Sequence, residues 1–99
     1  MASYFRYADS RELRVLPSRS SGADLLKLQR QIARFGASVA GMPSLIAAEA
    51  ADGVLVVYDG VTRATRIAKL SPGTLVPVTV IAKVRRAFGQ DPKIGDLLP

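Results

Sequence analysis

The sequence contains no cysteine and no histidine. Without cysteine there is no disulfide, no thiol nucleophile and no zinc–thiolate site, a usage compatible with a reducing compartment. Without histidine there is no Ser-His-Asp or Cys-His pairing, no imidazole general base and no histidine-held metal. Any catalysis falls to carboxylates, Tyr, Lys, Arg, Ser/Thr or backbone donors. Long apolar runs are missing too: none approaches the roughly 18–20 residues of a membrane span. The opening MASYFRYADS lacks the apolar stretch of roughly 7–15 residues that a signal peptide needs. No repeat or low-complexity tract is visible.

What is present is an ordinary globular composition of 99 residues, 48% hydrophobic and 22% charged. That length suits one domain, able to bury roughly 60–68% of its unfolded surface without a staple. Fourteen Lys and Arg against eight Asp and Glu give a net charge of +6. Such a balance favours polyanionic partners: nucleic acid, nucleotides, an acidic protein or an anionic membrane.

Along the chain, the aromatic-rich residues 1–10 suggest an edge strand or docking arm, and ELRVLP (12–17) a short strand closed by Pro17. SRSSG (18–22) reads as a loop in which Ser20 or Ser21 caps the next helix. Leu25, Leu28, Ile32 and Phe35 recur at helical spacing until Gly36, which predicts a helix over 24–35 with an apolar stripe. Lys27, Arg30 and Arg34 fall on its outer face, either as solvated charges or as one wall of a basic groove. SLIAAEA and VLVVY flank an Asp52-Gly53 turn and predict a β-hairpin over 44–58. LVPVTVIA (75–82) is a further strand, with Pro77 at an edge or bulge. The tail offers a short helix to Phe88, then Ile94, Leu97 and Leu98 docking on the core. The order of elements predicts an α+β fold: a mixed sheet with a β-hairpin and two main helices.

The segment VVYDGVTRATRIAKL (56–70) carries the chemistry. As a strand, neither face of 61–67 is apolar throughout. As a helix, Val61, Ala64, Ile67 and Ala68 form one stripe, Arg63, Arg66 and Lys69 fall on the other side, and Ser71-Pro72-Gly73 ends it. The helix reading places Gly60 and the amides of 61–63 at a helix N-terminus, where unpaired N–H groups and the dipole attract anions. Thr62 and Arg63 add a hydroxyl and a guanidinium. The plainer alternative makes Asp59 an N-cap with exposed arginines. A two-metal hydrolase needs clustered carboxylates. Asp52 and Asp59 bracket one strand and lie about 20 Å apart at about 3.3 Å per residue. No metal site is therefore expected.

The run VLVVYDGVTRATRIAKLSPGTLVPVTVI resembles the ParB N-terminal/sulfiredoxin-like family, whose members often read apolar strand, Asp-Gly-x-x-Arg, alanine-bearing helix, then a strand with VPV. The likeness covers about 11–82, with 83–99 as a docking tail of the same single domain. It places the family's phosphate-binding turn on Gly60 and Arg63. Val61 stands at sulfiredoxin's cysteine position and Thr62 where a histidine is common, which excludes the first chemistry and weakens nucleotide hydrolysis. The helix-turn-helix and dimer domains of partition proteins have no room here. GMP (41–43), DGVTRATR (59–66), SPGTLVPV (71–78) and IGDLLP (94–99) resemble small C-terminal toxin or effector modules of large secreted bacterial proteins of the RHS or haemagglutinin-repeat kind.

The resemblance thus implies an effector acting on nucleic acid or a nucleotide, in the cytoplasm after delivery, opposed by an acidic immunity protein and needing no cofactor or membrane. Gly60 and Arg63 would hold phosphate, Thr62 would add a hydrogen bond, and Arg66 and Lys69 would extend the field. Asp59 would orient the turn or act as base, with Arg63 at the reaction centre, although an aspartate beside arginines is a weak base. A non-catalytic module, using the same turn plus Lys27, Arg30 and Arg34, and a purely structural domain stay open beside it.

Overall fold

The computed structural model describes residues 2–99. Five strands, β1 (Tyr4–Asp9), β2 (Arg14–Val15), β3 (Leu45–Glu49), β4 (Leu55–Asp59) and β5 (Leu75–Lys83), and two helices, α1 (Leu25–Phe35) and α2 (Val61–Leu70), build an α+β domain. The sheet runs β1-β5-β3-β4-β2. β1 and β5 are antiparallel, as are β3 and β4, while β3 and β5, and β2 and β4, are parallel. The expected hairpin is therefore present, turning through residues 50–54.

The sheet is curled, for a reason visible in the connections. β1 and β2 occupy opposite edges, yet only residues 10–13 join them, three of them in a 3-10 turn at Ser10–Glu12. Edge strands of a flat five-stranded sheet stand about 19 Å apart, whereas this linker spans on the order of 13 Å. The edges must bend toward each other. An open cleft of about 430 Å³ lies where they approach, lined by Tyr7, Asp9, Arg14, Leu55 and Leu75 among others.

One face of the sheet carries the main core. Val76, Val78 and Val80 of β5, Ala47 of β3 and Val57 of β4 are fully buried there, with Leu13, Val15 and Ile94. α2 closes it with Val61, Ala64, Ile67 and Ala68, the stripe that the helical reading of 61–70 requires. Burial of the Val and Ile side chains contributes about 1.5–3 kcal/mol each. On the opposite face a smaller cluster joins Ala48, Ala50 and Val56 to Phe88. A register irregularity beside Ala47 accompanies the burial of two consecutive alanines, one in each cluster.

Several local expectations are corrected. α1 starts later than Ser20 or Ser21 would allow, because Pro17–Arg19 forms its own 3-10 turn, and the cap is Asp24, which accepts from the Lys27 amide at 2.9 Å. Of the apolar stripe on α1 only Leu28 is buried. Leu25 and Phe35 are 59% and 49% exposed, because α1 rests on α2 and not on the sheet. β5 is an interior strand, not an edge, but its ladder with β3 begins at Val78, so Pro77 is flanked by β1 alone. Residues 84–88 are not helical: they bend at 85–86, Val84 donates to the Glu49 carbonyl and Arg86 accepts from the Ala51 amide, and Phe88 joins the smaller cluster. Ile94 is buried and Leu97 packs on the core, while Leu98 stays 36% exposed. No helix among the described residues is long and apolar enough to cross a membrane.

Candidate functional site

The chain passes from β4 into α2 through a single residue, Gly60, with φ +107°. L side chains rarely adopt that conformation, and a Cβ there would lie 2.5 Å from Leu45 Cδ2 and 3.0 Å from an Arg63 nitrogen. Asp59 does not cap the helix: no side chain does, and the first intrahelical bond is Ala64 N–H to the Gly60 carbonyl, 2.9 Å. The first-turn N–H groups of α2 thus stand at its positive end without a side-chain acceptor. Thr62 is half-buried beside them.

Arg63 folds back over Gly60. One of its terminal nitrogens donates to the Ser44 carbonyl at 3.3 Å and lies 3.9 Å from Asp59. The Arg63 side chain is 24% exposed and that of Asp59 is 75% exposed. The carboxylate therefore faces solvent, with Arg63 as its one ion-pair partner among the described residues. Among the described residues no three metal-ligating side chains converge.

The other basic residues separate. Side chains three apart on a helix drift by about 60° per step, so Arg63 and Arg66 stay neighbours while Lys69, two steps from Arg63, turns away from it. Arg66 is 2% exposed, contrary to its expected place on the outer side. One of its terminal nitrogens donates to the carbonyls of Gly36 and Ser38, 2.8 Å each, and its guanidinium stands 5.4 Å from the Phe35 ring centroid. Burial draws its pKa below the ordinary arginine value. Lys69, in the last turn, donates to the Pro99 carbonyl at 2.8 Å, a helix length from Gly60. On α1, Lys27 and Arg30 are exposed, and Arg34 lies 5.2 Å from the Phe35 ring. Gly60, Thr62 and Arg63 come together; Arg66 adjoins them from inside, and Lys69, Lys27 and Arg30 are separate surface charges.

Residues that the sequence reading passed over complete the neighbourhood. A pocket of about 260 Å³ opens between α1, the 38–43 loop and α2, lined by Gln31, Phe35, Ser38, Ala40, Gly41, Met42, Pro43, Arg63 and Arg66. Ser44 anchors Arg63 and also shares a 2.9 Å hydroxyl bond with Thr79 of β5, which fixes the loop to the sheet. Only the Gly-Met-Pro of the loop carried a signal in sequence, and its relation to the arginines did not. The chain matches no family model, no curated protein and no solved structure. What the fold and site define is a basic α+β domain with a glycine-arginine turn at the head of its buried helix.

Proposed function

We propose that this chain is a phosphate-binding domain of the ParB/sulfiredoxin-like kind, engaging nucleic acid or a nucleotide through the turn from Gly60 to Arg63. The observation that carries the reading is the uncapped N-terminus of α2 with the Arg63 guanidinium held across the same glycine. Backbone donors, dipole and a planar cation converge on one small volume, a combination suited to phosphate oxygens. The net charge of +6 would draw a polyanion toward it.

Binding without turnover is the mode the geometry favours. An effector or toxin activity on nucleic acid needs a positioned base, and Asp59 is exposed, with only Arg63 beside it. Lys27, Arg30 and Arg34 give a polyanion further contacts along α1.

Inorganic phosphate, a mononucleotide and a single-stranded oligonucleotide titrated into isotope-labelled protein test the reading. The amides of Gly60–Arg63 are expected to shift, Arg63→Ala to abolish the response, and oligonucleotide affinity to fall steeply with salt. Unmoved amides with all three ligands would exclude the turn as a phosphate site. Ligand degradation lost in Arg63→Ala would replace binding with catalysis.

A further inference from the structure

Around the larger cleft both carboxylates are paired, Asp9 with Arg11 at 2.7 Å and Glu12 with Lys93 at 2.9 Å, while Arg14 donates to the Asp91 carbonyl at 2.7 Å and Arg6 is exposed. The smaller pocket between α1, the 38–43 loop and α2 differs. Two arginines line it, and one, Arg66, is 2% exposed yet forms no ion pair among the described residues. Its partners are two neutral carbonyls and an aromatic face. A buried cation without a counter-ion is costly. Three buried polar atoms of the lining residues, Arg66 Nε, Arg63 Nε and Gln31 Oε1, have no hydrogen-bond partner among the described residues.

The rest of the wall is apolar: Phe35, Ala40, Met42 and Pro43. Gly60, Val61 and Thr62 do not line the pocket, so it lacks the backbone N–H cradle that a phosphate's three oxygens require. One guanidinium edge gives a carboxylate two parallel N–H bonds; Arg63 already lies 3.9 Å from Asp59, so a single carboxylate would supply the counter-charge that Arg66 lacks. A volume of about 260 Å³ limits the occupant to something smaller than the drug-sized ligands held by pockets of about 300–1,000 Å³.

We infer that this pocket binds a carboxylate borne on a compact apolar body, with Arg63 and Arg66 facing the carboxylate and Phe35, Met42 and Pro43 enclosing the body. A free arylalkanoic acid and an apolar residue at a peptide C-terminus present the same chemistry. The site shares Arg63 with the phosphate turn but uses none of the α2 amides, so the two readings stand or fall on different signals.

The test is a titration of the labelled full chain with phenylacetate, with N-acetylglycylphenylalanine and its C-terminal amide, and with phenyl phosphate, read at the Met42 methyl and the Phe35 ring. Saturable shifts with phenylacetate identify a small-acid site; shifts with the free peptide alone identify a C-terminus reader. Both support the inference, and the amide should bind at least tenfold more weakly in either case. Ala40→Glu places a negative charge at the exposed rim and should weaken binding about tenfold without unfolding the chain, with Arg66→Gln in the same direction. No shift with either carboxylate, equal binding of the amide, or binding of phenyl phosphate alone overturns the proposal. Amide shifts at 61–63 with inorganic phosphate leave it unaffected.

Discussion

Arg66, in the middle of α2, and Gly36, the residue that ends α1, are joined by a 2.8 Å hydrogen bond from guanidinium to carbonyl. The same nitrogen reaches Ser38, so one buried side chain fastens the end of α1 and the following loop to the helix on the sheet. Because α1 buries only Leu28 fully, this fastening matters more than its single cation suggests. Arg66→Met keeps the bulk but removes both bonds. It should lower stability by about 2 kcal/mol, within the range for hydrogen bonds to charged groups, and loosen residues 36–43. Denaturant unfolding with amide exchange at Gly36 and Ser38 measures both.

Gly60→Ala should be costly for a local reason. The substitution combines a left-handed backbone with a Cβ 2.5 Å from Leu45 Cδ2, and Leu45 is itself fully buried. A loss of roughly 2–3 kcal/mol is expected, of which about 1–2 is backbone strain. Gly36→Ala meets no atom within 4 Å at φ +56° and should cost less. A thermal-unfolding comparison of the two variants separates strain from collision.

Acid should destabilise the fold at identifiable places. A hydrogen bond from Tyr4, which raises the phenol's own pKa, holds the Glu49 carboxylate below its ordinary range. Burial pushes Asp52 upward, but backbone bonds from Phe88 and Gly89 outweigh it and leave it lowered; the Arg11 side chain lowers Asp9. Depressed carboxylates stabilise the fold above their unfolded values near 4, and that contribution is lost as pH falls through the folded ones. The raised Tyr4 acts oppositely: its contribution is present below about pH 10 and lost as pH rises through its folded value. Thermal midpoints of the wild type should drop below about pH 4.5, and Glu49→Gln should flatten part of that drop.

Asp52 is a structural carboxylate. It accepts from the Gly89 amide at 2.6 Å and from Phe88 at 3.2 Å, bridging the hairpin turn to the tail segment. Asp52→Ala should lower stability and release Phe88 from its cluster with Ala48, Ala50 and Val56. Faster amide exchange at Phe88 and Gly89, with α2 unchanged, checks this.

How far the sequence was legible depended on which contacts were local. The stripe on 61–70, the Asp52-Gly53 turn and the helix stop at Gly36 each depend on residues a few positions apart, and all three are present. Arg66 deceived because charge type suggested solvent while helical drift turned it toward the end of α1. Leu25 and Phe35 matched the spacing of a core stripe, yet a helix lying on another helix had no sheet to offer them. Asp24 was hidden by an unexpected 3-10 turn upstream. The pocket beside Arg63 joins residues 31–43 to 63–66, and no pattern within either segment announces the other.

The short link between the sheet's two edges also dictates an order of events. Among the described residues β1 pairs with β5, and β2 pairs with β4 and, at Arg14, bridges to Lys93, so the first strands of the domain wait for partners made later in the chain. Tyr4 meets Val80 across most of the chain. Such distant pairings are slow to form, and until residues 75–83 emerge β3, with its buried Leu45 and Ala47, lacks its parallel neighbour. The nascent domain is therefore expected to remain open to chaperones and proteases until β5 has emerged, and then to close in one late step.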